Sequence, residues 1–281
     1  MMMLNRLRTC SSIKHVPNHT IAVWRDSLRL HHHMLKRTAS RRYCAKSYGE
    51  YMKTIGLIGG MSWESTIPYY RQINETIKQR LGGLHSAKIV LYSVDFQEIE
   101  TLQHSGQWEQ AGLLLADAAR RLEAAGAEGL VLCTNTMHKV ASAIEFAVGL
   151  PLLHIADPTA EAIKQSSVST VGLLGTRFTM EQDFYRSRLE DRHGLKVLIP
   201  NPEDRETVHH IIYDELCLGR IDAASRAAYI EIIHRLVANG AEAIILGCTE
   251  ISLLIEPQHV DIPLFDTTQL HAVHAAEWML R

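Results

Sequence analysis

The chain has 281 residues, of which 46% are apolar and 21% charged, and its formal net charge is −2. This composition supports a hydrophobic core and excludes intrinsic disorder. A mean hydropathy of −0.06, without any run of about 20 apolar residues, argues against a membrane span or membrane partner. Five cysteines, an odd number without C-x-x-C spacing, indicate neither a disulfide framework nor a metal site, and they favour a reducing compartment.

The first fifty residues differ from the rest in charge. They carry ten Lys and Arg residues against two acidic residues, whereas the remainder has 19 basic and 29 acidic residues. The acidic remainder argues against nucleic acid as a partner, because phosphate binding requires clustered positive charge. We interpret residues 1–51 as a basic, non-native extension ahead of Met52; the alternatives are an organelle-targeting segment and a functional basic arm.

From Lys53 onward, apolar runs of strand length alternate with helical patterns. The strand-sized runs of the first half lie at residues 54–58, 89–94, 129–132 and 152–155. Between them, apolar residues recur at helical spacing: Trp63, Ile67, Tyr70, Ile73 and Ile77, then Ala111, Leu115, Ala118 and Leu122. This alternation is typical of βαβ units and predicts a parallel sheet.

The same series of segments occurs a second time, about 114 residues later. Three pairs match in order: residues 54–59 (TIGLIG) with 170–175 (TVGLLG), 126–132 (GAEGLVL) with 240–246 (GAEAIIL), and 150–153 (LPLL) with 262–265 (IPLF). Matches at nearly one offset indicate an internal repeat. We therefore predict an α/β fold with two pseudo-symmetric domains, each built on a parallel four-stranded sheet. Ligands bind such sheets at the carboxyl ends of their strands, so we expect an active-site cleft between the halves.

The repeat also aligns the residues that follow the third strand of each half. It sets Cys133 against Gly247 and Thr134 against Cys248. A hydroxyl and a thiol then face one cleft from opposite sides, as inversion of a stereocentre requires of its two proton-transfer groups. We interpret Cys133, at the end of an apolar run, as a buried and inert thiol. Cys248, at a strand-to-helix junction, is predicted to have its thiolate favoured by the helix dipole.

Other residues at the strand ends are candidates to bind substrate. Asn135 and Thr136 open the next turn, where free N–H groups can hold a carboxylate, and Thr249 and Glu250 are their counterparts. A simple helix cap is the alternative interpretation for Asn135 and Thr136. The glycines near residues 59–62 and 175–176 match neither a dinucleotide fingerprint nor a phosphate loop, so no nucleotide cofactor is predicted.

These motifs resemble those of the aspartate/glutamate racemase superfamily, whose enzymes work without pyridoxal phosphate. The resemblance covers nearly all of residues 52–281 and rests on residues 58–65 (IGGMSWES), 135–138 (NTMH) and 247–250 (GCTE). Within the superfamily the chain is most similar to the bacterial YgeA-type amino acid racemases. The resemblance implies flavodoxin-like domains, a chain that returns to the first domain at its C-terminus, no cofactor, and a homodimer, which we expect in the cytoplasm.

With this resemblance, the first domain is placed at residues 52–152 and 261–281 and the second at 153–260. Cys248 is expected to act as the base and Thr134, a far weaker acid, to deliver or relay the returning proton. Glu250 and His138 are candidates to tune these groups. We predict that seven residues bind the amino acid substrate: Met61, Gln103, Asn135, Thr136, Thr176, Thr249 and Glu250.

The chain departs from the family pattern at three places. Thr134 stands where the family has its first catalytic cysteine, residues 95–97 (DFQ) replace an Asp-Arg-Thr segment, and Glu206 replaces a lysine. With both cations missing and only Arg205 as a partial substitute, we expect a broad range of acidic and neutral substrates. The expected side-chain readers are Met61, Trp63, Gln97, Gln103 and Thr176. A single-cysteine decarboxylase or isomerase and a noncatalytic amino-acid-binding protein are the alternatives.

A chain that begins at Met52 is expected to fold and turn over substrate like the full chain, because both repeats and every candidate residue follow this position. Circular dichroism and activity measurements on the two forms check this. A loss of solubility or activity on truncation would show instead that residues 1–51 pack on the body.

Overall fold

The structure, a computed structural model, describes residues 51–281, and within them it contains two four-stranded parallel sheets. The interpretation of residues 1–50 lies outside the described residues. The first sheet has the order β2-β1-β3-β4, with β1 at Ile55–Gly59, β2 at Ile89–Ser93, β3 at Gly129–Leu132 and β4 at Leu152–Leu153. The second has the order β6-β5-β7-β8, with β5 at Thr170–Gly175, β6 at Lys196–Leu198, β7 at Ala243–Gly247 and β8 at Leu264–Asp266. The predicted α/β fold is confirmed, and both strand orders are flavodoxin-like.

Helices connect the strands and cover both faces of the sheets. In chain order they are α1 (Trp63–Leu81), α2 (Phe96–His104), α3 (Trp108–Ala124), α4 (Ala141–Ala147), α5 (Ala156–Gln165), α6 (Arg177–Glu181), α7 (Asp183–His193), α8 (Pro202–Asp214), α9 (Ala223–Ala238) and α10 (Thr267–Met279). Short 3-10 turns occupy Thr136–Val140, Leu216–Leu218, Ile251–Leu253 and Pro257–His259. Among residues 51–281, no helix combines the length and the apolar character that crossing a membrane requires.

The repeat is visible in the hydrogen bonds at the start of equivalent strands. The Glu128 carboxylate accepts from the Thr54 N–H at 2.7 Å, and the Glu128 N–H donates to the Thr54 carbonyl at 2.8 Å. Glu242 makes the same two bonds with Thr170, at 2.8 and 2.9 Å. Each glutamate therefore joins the start of the first strand of its half to the start of the third.

Helix α1 buries a different face from the one its apolar spacing suggests. Tyr69, Ile73 and Ile77 are fully buried between the first sheet and α10. Trp63 and Tyr70, in contrast, are 62% and 56% exposed, so the apolar residues at helical spacing predict the helix but do not all face the core. The physical reason is that α1 packs on α10 as well as on the sheet, so the helix face that carries Tyr69 points to the core.

The chain crosses back to the first half at its C-terminus. Helix α10 packs on α1, and its alanines share a core with β1 and β3. Strand β8, however, pairs with β7 in the second sheet, so this return begins at Thr267 and not at residue 261. The division at residues 152 and 153 stays a prediction, because residues 51–281 lie within one compact unit.

Candidate active site

The sheet register places Thr134 and Cys248 at equivalent strand ends. In both halves the first strand pairs with the third in the same way: Ile58 lies opposite Leu132, and Leu174 lies opposite Leu246. Positions 58 and 174 correspond in the repeat, so positions 132 and 246 correspond as well. Two residues further along, Thr134 and Cys248 therefore leave their sheets at matching points, one in each half.

Both residues line one cavity between the carboxyl ends of the two sheets. Its empty volume, which includes the open space at its mouth, is about 310 Å³. Twelve residues line it: Met61, Phe96, Gln103, Thr134, Asn135, Thr136, Thr176, Ile212, Tyr213, Cys217, Cys248 and Glu250. Six of the seven predicted substrate-binding residues are among them, and Thr249 is the exception.

A tight turn after β1 brings Met61 to the cavity. Gly60 adopts a φ of +92°, and a Cβ at this position would lie 2.3 Å from the Val94 carbonyl oxygen. Only glycine fits this turn. Its N–H donates to the Thr66 hydroxyl at 2.9 Å, which fixes the turn against the first part of α1.

Asn135 presents an unpaired amide oxygen. Its Nδ2 donates to Thr267 Oγ1 at 3.0 Å, and that hydroxyl donates in turn to the Leu246 carbonyl at 2.8 Å. Because the Thr267 proton is used, Thr267 can only accept from Asn135, and the amide orientation is fixed. The buried Oδ1 then has no hydrogen-bond partner within residues 51–281. The backbone N–H groups of Asn135 and Thr136 likewise meet no acceptor there.

Hydroxyl groups from both halves meet beside these N–H groups. Thr136 Oγ1 lies 2.9 Å from Thr176 Oγ1 and 3.3 Å from Thr179 Oγ1. Thr176 begins α6, and its hydroxyl also accepts from the Thr179 N–H at 3.3 Å. This cluster joins the turn after β3 to the turn after β5 at the cavity wall.

His138 holds the backbone of Thr134 in place. Its Nδ1–H donates to the Thr134 carbonyl at 2.8 Å, while Nε2 accepts from the Ile155 N–H at 3.3 Å. Burial, reinforced by His154, lowers the pKa of His138 well below its usual value, so the ring is neutral. The Thr134 hydroxyl itself forms no hydrogen bond with any residue from 51 to 281 and remains available to a ligand.

Cys248 rests as a thiol bonded to a carboxylate. Its Sγ lies 2.9 Å from Glu250 Oε2, which also accepts from Thr249 Oγ1 at 2.8 Å. The other oxygen, Oε1, accepts from the Ser62 N–H at 3.2 Å and from Ser62 Oγ at 2.8 Å. Thr249 thus binds Glu250 and does not line the cavity.

The expectation that a helix dipole favours the Cys248 thiolate is wrong. Burial raises the pKa of Cys248 well above its ordinary value, and the negative charge of Glu250 raises it further. The turn that follows, Ile251–Leu253, is a single 3-10 turn, so no long helix opposes these two effects.

The sequence analysis did not predict four of the cavity residues: Phe96, Ile212, Tyr213 and Cys217. Three of them come from α8 and the 3-10 turn after it. Tyr213 donates its hydroxyl proton to Gln103 Oε1 at 2.9 Å and stacks on Phe96, with ring centroids 6.4 Å apart. These contacts close the cavity between the two halves. Gln103 also donates from Nε2 to the Met137 sulfur at 2.9 Å.

Two predicted readers of the substrate side chain lie outside the cavity. Trp63 is exposed, and the exposed Gln97 bonds to Glu100 on its own helix at 3.1 Å. Arg205 is also directed elsewhere, since it donates to Glu181 at 2.7 Å and to the Pro200 carbonyl at 2.8 Å. No Lys, Arg or His from the described part of the chain lines the cavity.

Cys133 lies in the core on the other side of the sheet from the cavity. It is fully buried with Ile55, Leu57 and Val131. Burial alone raises the pKa of its thiol. This position agrees with the interpretation of Cys133 as a structural thiol.

Comparison with known proteins gives consistent matches over the described residues. The sequence model of the Asp/Glu/Hydantoin racemase family matches residues 58–275. A Yersinia pestis protein assigned as an Asp/Glu racemase is 61% identical, with a TM-score of 0.76 over 82% of this chain and 100% of that one. An aspartate racemase homologue from Pyrococcus horikoshii is 35% identical, with a TM-score of 0.71 and the same coverage. The broad specificity amino-acid racemase RacX of Bacillus subtilis is 23% identical over 226 residues, which are 76% of this chain and 92% of RacX.

Proposed function

The chain belongs to the Asp/Glu/Hydantoin racemase family, and we propose that it is a cofactor-independent amino acid racemase. In this proposal Cys248 and Thr134 transfer protons at the α-carbon from opposite sides of one cavity. The observation that carries it is the position of these two residues, which occupy equivalent strand ends and line the same cavity.

The first-half turn supplies the groups that hold the reacting part of the substrate. The N–H groups of Asn135 and Thr136 donate to the α-carboxylate, together with the one hydroxyl of Thr136 and Thr176 whose proton is not used in the bond between them. The unpaired Asn135 Oδ1 accepts from the α-ammonium group. Donors fixed around the carboxylate are the largest source of catalysis here, because negative charge builds up on it when the α-proton leaves.

The two proton-transfer groups differ in acidity. The Cys248 thiolate removes the α-proton, the electron pair of the C–H bond moves into the carboxylate as an enediolate, and the Thr134 hydroxyl delivers a proton to the opposite face. A hydroxyl is a much weaker acid than a thiol, so the step at Thr134 is the slower one. This asymmetry affects kcat in the two directions of racemisation. It leaves the equilibrium between enantiomers at one to one.

The cavity wall favours a broad substrate range. Among residues 51–281, Glu250 is the one charged residue in this wall, and neither Arg205 nor another cation lines it. A second carboxylate in a buried site costs several kcal/mol unless it is neutralised or well hydrogen-bonded. Uncharged groups such as Gln103 and Tyr213 accommodate neutral side chains without that cost. The broad specificity of the relative RacX supports the same proposal.

A panel of the proteinogenic amino acids, each incubated with the protein in D2O, tests the proposal. We expect inversion together with α-deuteration for acidic and neutral substrates, measured by chiral chromatography and mass spectrometry. A decarboxylase would release CO2, and a binding protein would neither exchange nor invert. If aspartate and glutamate alone react, the proposed breadth is wrong and a group outside the cavity lining must supply positive charge.

A further inference from the structure

One side of helix α1 carries a stripe of large apolar side chains that remain in contact with solvent. Trp63, Ile67 and Tyr70 are 62%, 47% and 56% exposed, and they follow one another at spacings of four and three residues. At about 100° per residue, these three side chains lie within about 60° of one another around the helix axis. Soluble monomers rarely expose a large contiguous apolar surface, so this stripe indicates a binding partner.

The turn after α8 extends this apolar surface into the second half of the chain. A Cβ added at Gly219 would lie 4.0 Å from Glu64 Cγ, so this turn passes beside the first turn of α1. Leu218 and Ile221, on either side of Gly219, are also large apolar residues with exposed side chains. A partner bound to the stripe would therefore contact both halves of the repeat.

The pattern of α1 is that of a helix that can pair with a copy of itself. Positions 63, 67, 70 and 74 are separated by four, three and four residues, which is the spacing of the core positions in a coiled coil. Glu64 and Arg71 lie on one flank of this stripe, seven residues apart and therefore at equivalent heptad positions. A twofold axis perpendicular to two antiparallel helices places the same flank of both on one side. Glu64 of each copy then faces Arg71 of the other.

We propose that a second copy of this chain docks on the stripe, with α1 packed antiparallel against α1 about a twofold axis. Ile67 of one copy lies beside Tyr70 of the other at the centre of this contact, and the two pairs of Glu64 with Arg71 flank it. Such a contact is closed, because two copies cover both stripes. Rotation of the Glu64 side chain toward that guanidinium also satisfies its Oε2, which is buried without a hydrogen-bond partner within residues 51–281. The proposal does not depend on the racemase function.

A charge placed in the stripe tests whether this surface forms the dimer. Ile67→Glu puts a carboxylate at the centre of the proposed contact, and the fold should survive because the side chain is outside the core. We expect the wild-type protein to sediment as a dimer at micromolar concentration and this variant as a monomer, with unchanged circular dichroism. Phe146→Glu is the matched control. Phe146 is 92% exposed on α4, which packs on α3, so this variant should remain dimeric.

Two charge reversals test the antiparallel arrangement. Glu64→Arg and Arg71→Glu each place like charges opposite one another in the proposed dimer, so each variant alone should dissociate about tenfold more readily or more. A mixture of the two variants restores both opposite-charge pairs and should form a heterodimer. Analytical ultracentrifugation of each variant and of the mixture measures this recovery.

Three outcomes would overturn the proposal. The first is a wild-type protein that stays monomeric at the highest soluble concentration. The second is a dimer that Ile67→Glu leaves intact or that the mixed charge variants fail to restore, because either result places the contact elsewhere or in another orientation. The third is a monomeric full chain whose form beginning at Met52 dimerises, since the preceding residues and not a second copy would then occupy the stripe.

Discussion

Replacing Cys248 with serine is expected to lower kcat/KM for racemisation by about 10³- to 10⁴-fold, the upper part of the range for a positioned acid–base group. A serine hydroxyl is a far weaker acid than a thiol, so it cannot supply the base that the cysteine thiolate provides. The fold should remain intact, because serine is close in size to cysteine and its hydroxyl can donate to Glu250 Oε2 in the same way as the thiol. Chiral chromatography measures the loss, and the thermal unfolding curve tests the fold.

Two other cysteines provide controls for this variant. Cys217→Ser changes a second thiol in the same cavity wall, and we expect it to retain most of the activity because no proton transfer is assigned to it. Cys133→Ala removes a thiol from the core behind the sheet and should cost about 1 kcal/mol of stability with little effect on turnover. Comparable losses in all three variants would mean that Cys248 has no special role.

The sequence was sufficient to predict the fold and the equivalent positions of Thr134 and Cys248, because both follow from the repeat. Two copies of one βαβ pattern must form similar sheets, and the pairing register then aligns Thr134 with Cys248 without further information. The alternation of side chains along a strand also determines on which side of the sheet each residue lies. Adjacent residues point to opposite faces, which puts Cys133 in the core and Thr134 at the cavity.

The cavity residues from α8 could not be predicted in this way. Tyr213 and Ile212 reach the cavity because α8 of the second half lies against α2 of the first half, where Tyr213 contacts Phe96 and Gln103. Such contacts depend on how the two halves dock, and no spacing within either half encodes that. The same dependence explains Gln97, which follows the right strand and yet faces solvent on α2.

The protonation state of Cys248 shows a second limit of sequence reasoning. The motif GCTE has a carboxylate two residues after the thiol, but it does not indicate that the turn brings Glu250 within hydrogen-bond distance of Cys248. A dipole argument from a strand-to-helix junction gave the opposite sign for the pKa shift. Burial and one nearby charge outweigh a dipole effect that a single 3-10 turn can hardly generate.

Replacing Thr134 with valine is expected to separate proton exchange from inversion. Valine has nearly the shape of threonine but no hydroxyl, so the proton donor on one face of the substrate is lost while Cys248 and Glu250 remain on the other. Racemisation should fall by about 10²- to 10⁴-fold. One enantiomer, with its α-hydrogen toward Cys248, should still incorporate deuterium with retention of configuration, because the Cys248 thiol can exchange its proton for deuterium from solvent before returning it. The other enantiomer should be inert.

Measuring both enantiomers of one substrate in D2O makes this outcome decisive. Thr134→Cys is the matched variant, since it places an ionisable group at the same position and should give more similar kcat values in the two directions. Equal loss of exchange for both enantiomers in Thr134→Val would mean that Thr134 is needed to hold the substrate for either step. Full inversion by that variant would show that the second proton comes from another group in the cavity, such as the Tyr213 phenol in the same wall.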